Sequence, residues 1–226
     1  MILALETATP AASIALVDKE KTIASRYFDI GLQHSRLLYP EIQAIFNVAD
    51  CRPAELEAVA VSIGPGSFTG LRIGLSTAKG LCLAREIDLV AVPTLESLAA
   101  QLPFAAHPVC PVLDARQREV YAALYDTSSG WPSPLAEARA LEPEQLLEER
   151  RDQRTIFVGD GIWQHRQLLA DFPQALVPPR TYRQPEASTV GQLAYVRLNN
   201  GQTANLAMVE PNYIRAPAVR AAASGG

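Results

Sequence analysis

Short apolar runs separated by turn-forming residues dominate the first part of the chain. Ile2 to Leu5 is apolar and closes on Glu6, followed by Thr7, Ala8, Thr9 and Pro10. Ser13 to Val17 reads as a second strand, Asp18 to Lys21 as an exposed turn, and Thr22 to about Phe28 as a third strand. Strands joined by such tight connections predict a sheet that begins antiparallel. The period then changes. From His34 to about Phe46, Leu37, Leu38, Ile42, Ile45 and Phe46 recur at spacings of three and four, which predicts a helix with one apolar flank. Pro40 either kinks this helix or marks the first turn of one that begins near Tyr39. Ala58 to Ile63 is a continuous apolar run, a buried strand. A second helix from about Gly70 to Arg85 carries Leu71, Gly74, Leu75, Ala78, Leu81 and Cys82.

The second half opens with a hairpin much as the first does, an echo of elements and not a repeat of sequence. Asp88 to Val92 reads as a strand and Thr94 to about Leu102 as a helix, and the stretch 103–108 reads as a lobe boundary. Val109 to Leu113 is a buried strand that ends in Asp114-Ala115-Arg116, and Glu119 to Tyr125 alternates as its hairpin partner. Asp126 to Leu141, rich in Ser, Pro and Gly, is expected to be a surface excursion. A charged helix over Pro143–Arg151, a strand over Thr155–Val158, a helix from Ile162 to Ala170 and a last helix from Ala187 to about Leu198 complete the pattern. These boundaries predict an N-terminal lobe over 1–103, a C-terminal lobe over 104–216 and a disordered tail over 217–226.

The connection Gly64-Pro65-Gly66-Ser67-Phe68-Thr69-Gly70 is where ordinary core packing fails. Its glycines permit positive φ or very close backbone approach, and Pro65 stiffens the turn. Two uses fit. Free N–H groups at the start of the following helix could face an anion, or the turn could let strand and helix pack tightly. The spacing matches neither a nucleoside-triphosphate loop nor a dinucleotide fingerprint. Gly74 raises a related question. A glycine inside a helix costs about 0.8–1 kcal/mol against alanine, so something must approach closely there.

With 226 residues, 48% hydrophobic and 19% charged, the chain can bury one large core or two lobes of roughly a hundred residues each. Its formal charge of −4 gives no sign of a broad nucleic-acid-binding surface. Cys51, Cys82 and Cys110 lack zinc spacing and form no disulfide framework, so a reducing cytoplasm is expected. No basic leader and no bilayer-length apolar run is seen, and no membrane association is expected. Candidate chemistry is thin. His34, His107 and His165 come from separate segments, and Ser67 lacks the form of a nucleophile elbow. Glu6 either points into a cleft or caps nearby N–H groups. Asp114 and Arg116 form either a polar site or a turn-stabilising ion pair.

Taken in order, Ile2 to Thr9, Gln33 to Pro40, Gly64 to Gly74, Val92 to Leu98, Asp114-Ala115-Arg116 through Tyr121, and Pro211 to Arg215 resemble the bacterial TsaB (YeaZ) family over nearly the whole length. The resemblance implies an α/β fold of two lobes, each around a mixed sheet flanked by helices, in the actin-like, sugar-kinase and Hsp70 ATPase superfamily. It implies a non-catalytic subunit, with no cofactor of its own. This subunit would bind TsaD, joined by TsaE, for threonylcarbamoyl transfer to the adenosine beside the anticodon of tRNAs reading A-starting codons. The complex, rather than this chain alone, would reach the tRNA. TsaD binds a metal through a histidine pair on one helix. Here His34 is followed by Leu38 where the second would stand, so no metal is expected. The family typically has aspartate in place of Glu6, which argues against phosphate or metal binding at that strand end. The resemblance places the TsaD contact, and homodimer formation through the same surface, on the first lobe's helices, with His34, Leu37, Leu38, Ile42, Leu71, Gly74, Leu75 and Ala78 as the expected interface. Glu6, Asp114 and Arg116 would line a vestigial cleft. The alternative is a stand-alone hydrolase or small-molecule kinase that uses this inter-lobe cleft.

Overall fold

The structure is a computed structural model that describes residues 1–31, 33–179 and 182–214. The expected tail over 217–226 lies outside the described residues. Two five-stranded mixed sheets form the two halves. In the first, β1 (Ile2–Glu6), β2 (Ala12–Val17) and β3 (Thr22–Phe28) make an antiparallel meander, and β4 (Ala58–Ser62) and β5 (Asp88–Val92) add parallel strands beyond β1, in the order β3-β2-β1-β4-β5. The second sheet repeats this plan. β6 (Val109–Arg116), β7 (Glu119–Asp126) and β8 (Ser133–Leu141) form the meander, and β9 (Thr155–Val158) and β10 (Ala175–Leu176) lie beyond β6.

The unbroken apolar runs of β1 and β4 follow from burial on both faces, since successive strand side chains point to opposite sides. Leu3 and Leu5 face α1 (His34–Ala49) and α2 (Phe68–Arg85), where they join Leu38, Ile45, Phe46, Leu75 and Ala78. Ile2 and Ala4 face α6 (Ala187–Asn199) and meet Val190 and Ala194. On the second sheet, α3 (Thr94–Ala99) sets Leu95 and Leu98 against Val109, Leu113 and Ala123. The remaining helices, α4 (Pro143–Glu149) and α5 (Asp160–Gln164), cover the far face with Leu146, Leu147 and Ile162 against Val112, Val120 and Phe157.

Several expectations change. The excursion over 126–141 contains β8, an edge strand of nine residues hidden in the sequence by Pro134 and by exposure on both sides; an edge strand tolerates proline because one N–H row faces outward. Strands β1 to β5 form one sheet and β6 to β10 the other, while two helices cross between them. Helix α3 packs on the second sheet and α6 returns to the first, and Arg197 of α6 ties the crossing by an ion pair to Glu96 (2.6 Å) and a hydrogen bond to Ala91 O (2.8 Å).

The expected interface flank is also corrected. His34, Leu38, Ile42, Leu71, Gly74, Leu75 and Ala78 are buried inside the protomer, and Leu37 is half-buried. Their apolar spacing records packing onto the first sheet, which leaves other residues of α1 and α2 outward. Leu75→Glu therefore tests folding rather than association. Burying the unpaired carboxylate should cost on the order of 3–5 kcal/mol, seen as a large fall in the thermal midpoint of the isolated protein by circular dichroism. An unchanged midpoint would remove Leu75 from the core.

Candidate functional site

The glycine-rich connection leaves β4 at Ser62 and enters α2, with Gly64 at φ 116° and a cis Gly64–Pro65 bond. It is held on three sides. Ser67 N–H donates to Ala8 O (2.6 Å), and Thr7 Oγ1 donates to Gly70 O (2.9 Å). Gly64 N–H donates to Thr94 Oγ1 (3.1 Å), while Thr94 N–H returns a bond to Gly64 O (2.9 Å). Asn212 N–H donates to Ile63 O (2.6 Å), and a Cβ added at Gly64 would sit 2.6 Å from Asn212 O. A Cβ at Gly66, Gly70 or Gly74 would come under 3.0 Å from Ala8 or Thr7. The close approach that these glycines permit is made by the chain's own Thr7–Ala8 turn.

Helix α2 begins with Ser67 as its cap, Oγ accepting from Gly70 N–H (3.3 Å). Among the described residues no histidine or carboxylate bonds Ser67, and Thr69 is exposed on the outer side. A returning segment completes the site. Tyr213 stacks on Phe68 with centroids 5.2 Å apart, and Arg72 lies 4.0 Å over the Phe68 ring while its Nε donates to Tyr213 Oη (3.2 Å).

Glu6 is fully buried at the end of β1. Its Oε1 accepts from Ala8 N–H (2.7 Å) and its Oε2 accepts from Ser62 Oγ, tying the ends of β1 and β4 together. Burial pushes the carboxyl up to about 7, against the pull of the Ser62, Ala8 and Thr7 donors. His34 opens α1, with Nε2 2.9 Å from Thr9 O. The imidazole thus donates from Nε2, and its buried Nδ1 has no partner. No group of three or more His, Cys, Asp or Glu side chains suited to a metal ion occurs among the described residues.

The second sheet copies the device. Asp114 Oδ1 accepts from Arg116 N–H (2.8 Å), the same two-residue reach that Glu6 makes to Ala8. Asp160 follows β9 and accepts from Asp114 N–H (3.2 Å), with Gln184 Nε2 at 3.5 Å from its other oxygen; burial raises its carboxyl above the usual range. A Cβ at Gly159 or Gly161 would run into the backbone of Val112 or Leu113, so this glycine pair also serves close packing. Asp114 and Arg116 share a turn, and no hydrogen bond or ion pair joins them to Glu6. Sequence reasoning missed the roles of Thr7, Ser62, Thr94 and Asn212, since a single hydroxyl or amide carries no periodic signal.

The sign of the Glu6 linkage is definite. Its folded pKa lies above its ordinary 4.5, so the folded chain holds a proton that the unfolded chain has released between about pH 4.5 and 7. Glu6 therefore lowers stability progressively across that window, by about 3 kcal/mol in full. Glu6→Gln removes the term, and its advantage over the parent in urea unfolding should be larger at pH 8 than at pH 5. Parallel pH profiles for the two proteins would show that Glu6 does not titrate this way.

Comparison with known proteins places this architecture. The family model for TsaD, tRNA N6-adenosine threonylcarbamoyltransferase, matches residues 29–223. The tRNA threonylcarbamoyladenosine biosynthesis protein TsaB of Escherichia coli (strain K12) is 33% identical over 221 residues, covering 95% of this chain and 94% of that protein. The solved structure of YeaZ from Pseudomonas aeruginosa superposes with a TM-score of 0.81 at 27% identity, over 94% of this chain and 98% of that one. The activator of the 2-hydroxyisocaproyl-CoA dehydratase from Clostridium difficile shares the fold alone, with a TM-score of 0.54 at 11% identity over 89% and 96% of the two chains. Two mixed sheets flanked by helices in this arrangement are the actin-like ATPase and sugar-kinase fold. The chain belongs to the TsaB family of tRNA threonylcarbamoyladenosine biosynthesis proteins.

Proposed function

We propose that this protein is a non-catalytic subunit that binds TsaD, in an assembly joined by TsaE, and that TsaD carries out threonylcarbamoyl transfer to the adenosine beside the anticodon of tRNAs reading A-starting codons. One observation carries the reading. The candidate groups at the strand ends and in the glycine-rich connection are engaged in internal bonds: Glu6 with Ala8 and Ser62, Ser67 with the start of α2, and Asp114 with Arg116. None has the paired geometry that acid–base or nucleophilic catalysis requires. A net charge of −4 favours reaching tRNA through the complex.

The contact with TsaD lies on the outward side of α1 and α2. Tyr39 and Leu83 are exposed there at 64% and 68%, large side chains with little to hold them in the isolated protomer. The same side serves a second copy of the chain when TsaD is missing, and the protein works in the cytoplasm. Reconstitution of the tRNA modification from TsaD and TsaE should require this protein, and the isolated chain should modify nothing. Turnover of a nucleotide or other substrate by the chain alone would overturn the reading in favour of a stand-alone hydrolase or kinase. Leu83→Glu should keep the parent's thermal midpoint and weaken TsaD binding about tenfold, or about 1.4 kcal/mol, by calorimetric titration. Undiminished binding would move the contact elsewhere.

A further inference from the structure

The returning segment 209–213 and the flank of α2 enclose a groove of about 310 Å³. Arg72, Ser76 and Lys79 line its α2 wall, spaced four and three residues apart and so stacked on one side of the helix. Leu75, Val209 and Pro211 supply an apolar floor, and Glu210 and Tyr213 the opposite wall. The walls are fixed relative to one another, because Tyr213 is bonded to Arg72 and stacked on Phe68 while Asn212 is bonded to Ile63.

The charges in the groove are unbalanced. Arg72 and Lys79 form no ion pair among the described residues, and the groove's single carboxylate, on Glu210, forms none either. Two cationic heads over an apolar floor suit one carboxylate on an aliphatic stem. A run of phosphates would meet Glu210 and gain nothing from Leu75, Val209 or Pro211, so a nucleic-acid backbone fits less well.

We propose that this groove receives an acidic segment of the partner subunit, with an aspartate or glutamate set between Arg72 and Lys79 and an apolar neighbour on the floor. This rests on the partner-subunit reading and extends it: the contact runs past the outer face of α2 onto the returning segment. Lys79 is the clean probe, since Arg72 also holds Tyr213 in place.

Titrating TsaD into wild-type protein and variants at low and high salt tests the proposal. Lys79→Glu should weaken binding roughly tenfold, and Lys79→Met by less, with a flatter salt dependence. Lys19→Glu, in the exposed turn after β2, should bind as wild type. Carbodiimide coupling of the wild-type complex should join Lys79 to an aspartate or glutamate of TsaD, identified by mass spectrometry. Wild-type affinity and salt dependence for Lys79→Glu would overturn the inference while leaving the partner reading intact. So would a variant that binds TsaD normally and fails only in tRNA retention or in self-association. If wild-type protein does not bind TsaD at all, both readings fall, and the first titration reveals it.

Discussion

The Thr7–Ala8 turn lies directly on Gly66 and Gly70 by its backbone and on Gly74 by the Thr7 side chain, and the rest of the first half is arranged around that contact. Backbone cannot move aside as a flexible side chain can, so any Cβ at Gly66 or Gly70 would have to push apart the first hairpin and α2. The helical glycine at 74 is explained by the same contact, since Thr7 Oγ1 occupies the space that an alanine methyl would need. Once α2 is drawn this close, Leu71, Leu75 and Ala78 reach the sheet, Thr9 meets His34 at the start of α1, and Asn212 and Tyr213 close over the junction.

The same packing engages the carboxylates at the strand ends. The carboxylates at the ends of the first strand in each half bond within the chain. Glu6 bonds the two strand ends that flank it, and Asp114 and Asp160 bond the equivalent turn of the second sheet. Each of these carboxylates joins backbone or hydroxyl groups of its own chain. Membership of the TsaB family and this inward bonding are what the proposed subunit role rests on.

Helical periodicity does not by itself distinguish a core-facing flank from an interface. Leu38, Ile42, Leu71, Leu75 and Ala78 recur at helical spacing because they pack, and that spacing is the same whether the neighbour is the protein's own sheet or another chain. The outward residues of the same helices, Tyr39, Arg72, Lys79 and Leu83 among them, show no apolar period at all. Their interest comes from exposure, from unbalanced charge, and from a returning segment more than a hundred residues away in sequence.

Most elements were legible from the chain alone. Continuous apolar runs marked β1, β4 and β6 because both sheet faces are covered, and the three-and-four spacing marked α1 and α2. The run of glycines around Pro65 announced a place where backbone must come close, and the ordered motifs identified the family. Local pattern did not reveal β8, whose exposed faces erase the alternation, or the crossing of α3 and α6 between the sheets. It also left open what the glycines approach. Tertiary structure alone answered that, because a missing Cβ declares only that something must fit there, and the occupant is chosen by which distant segment, here Thr7–Ala8, the fold brings against it.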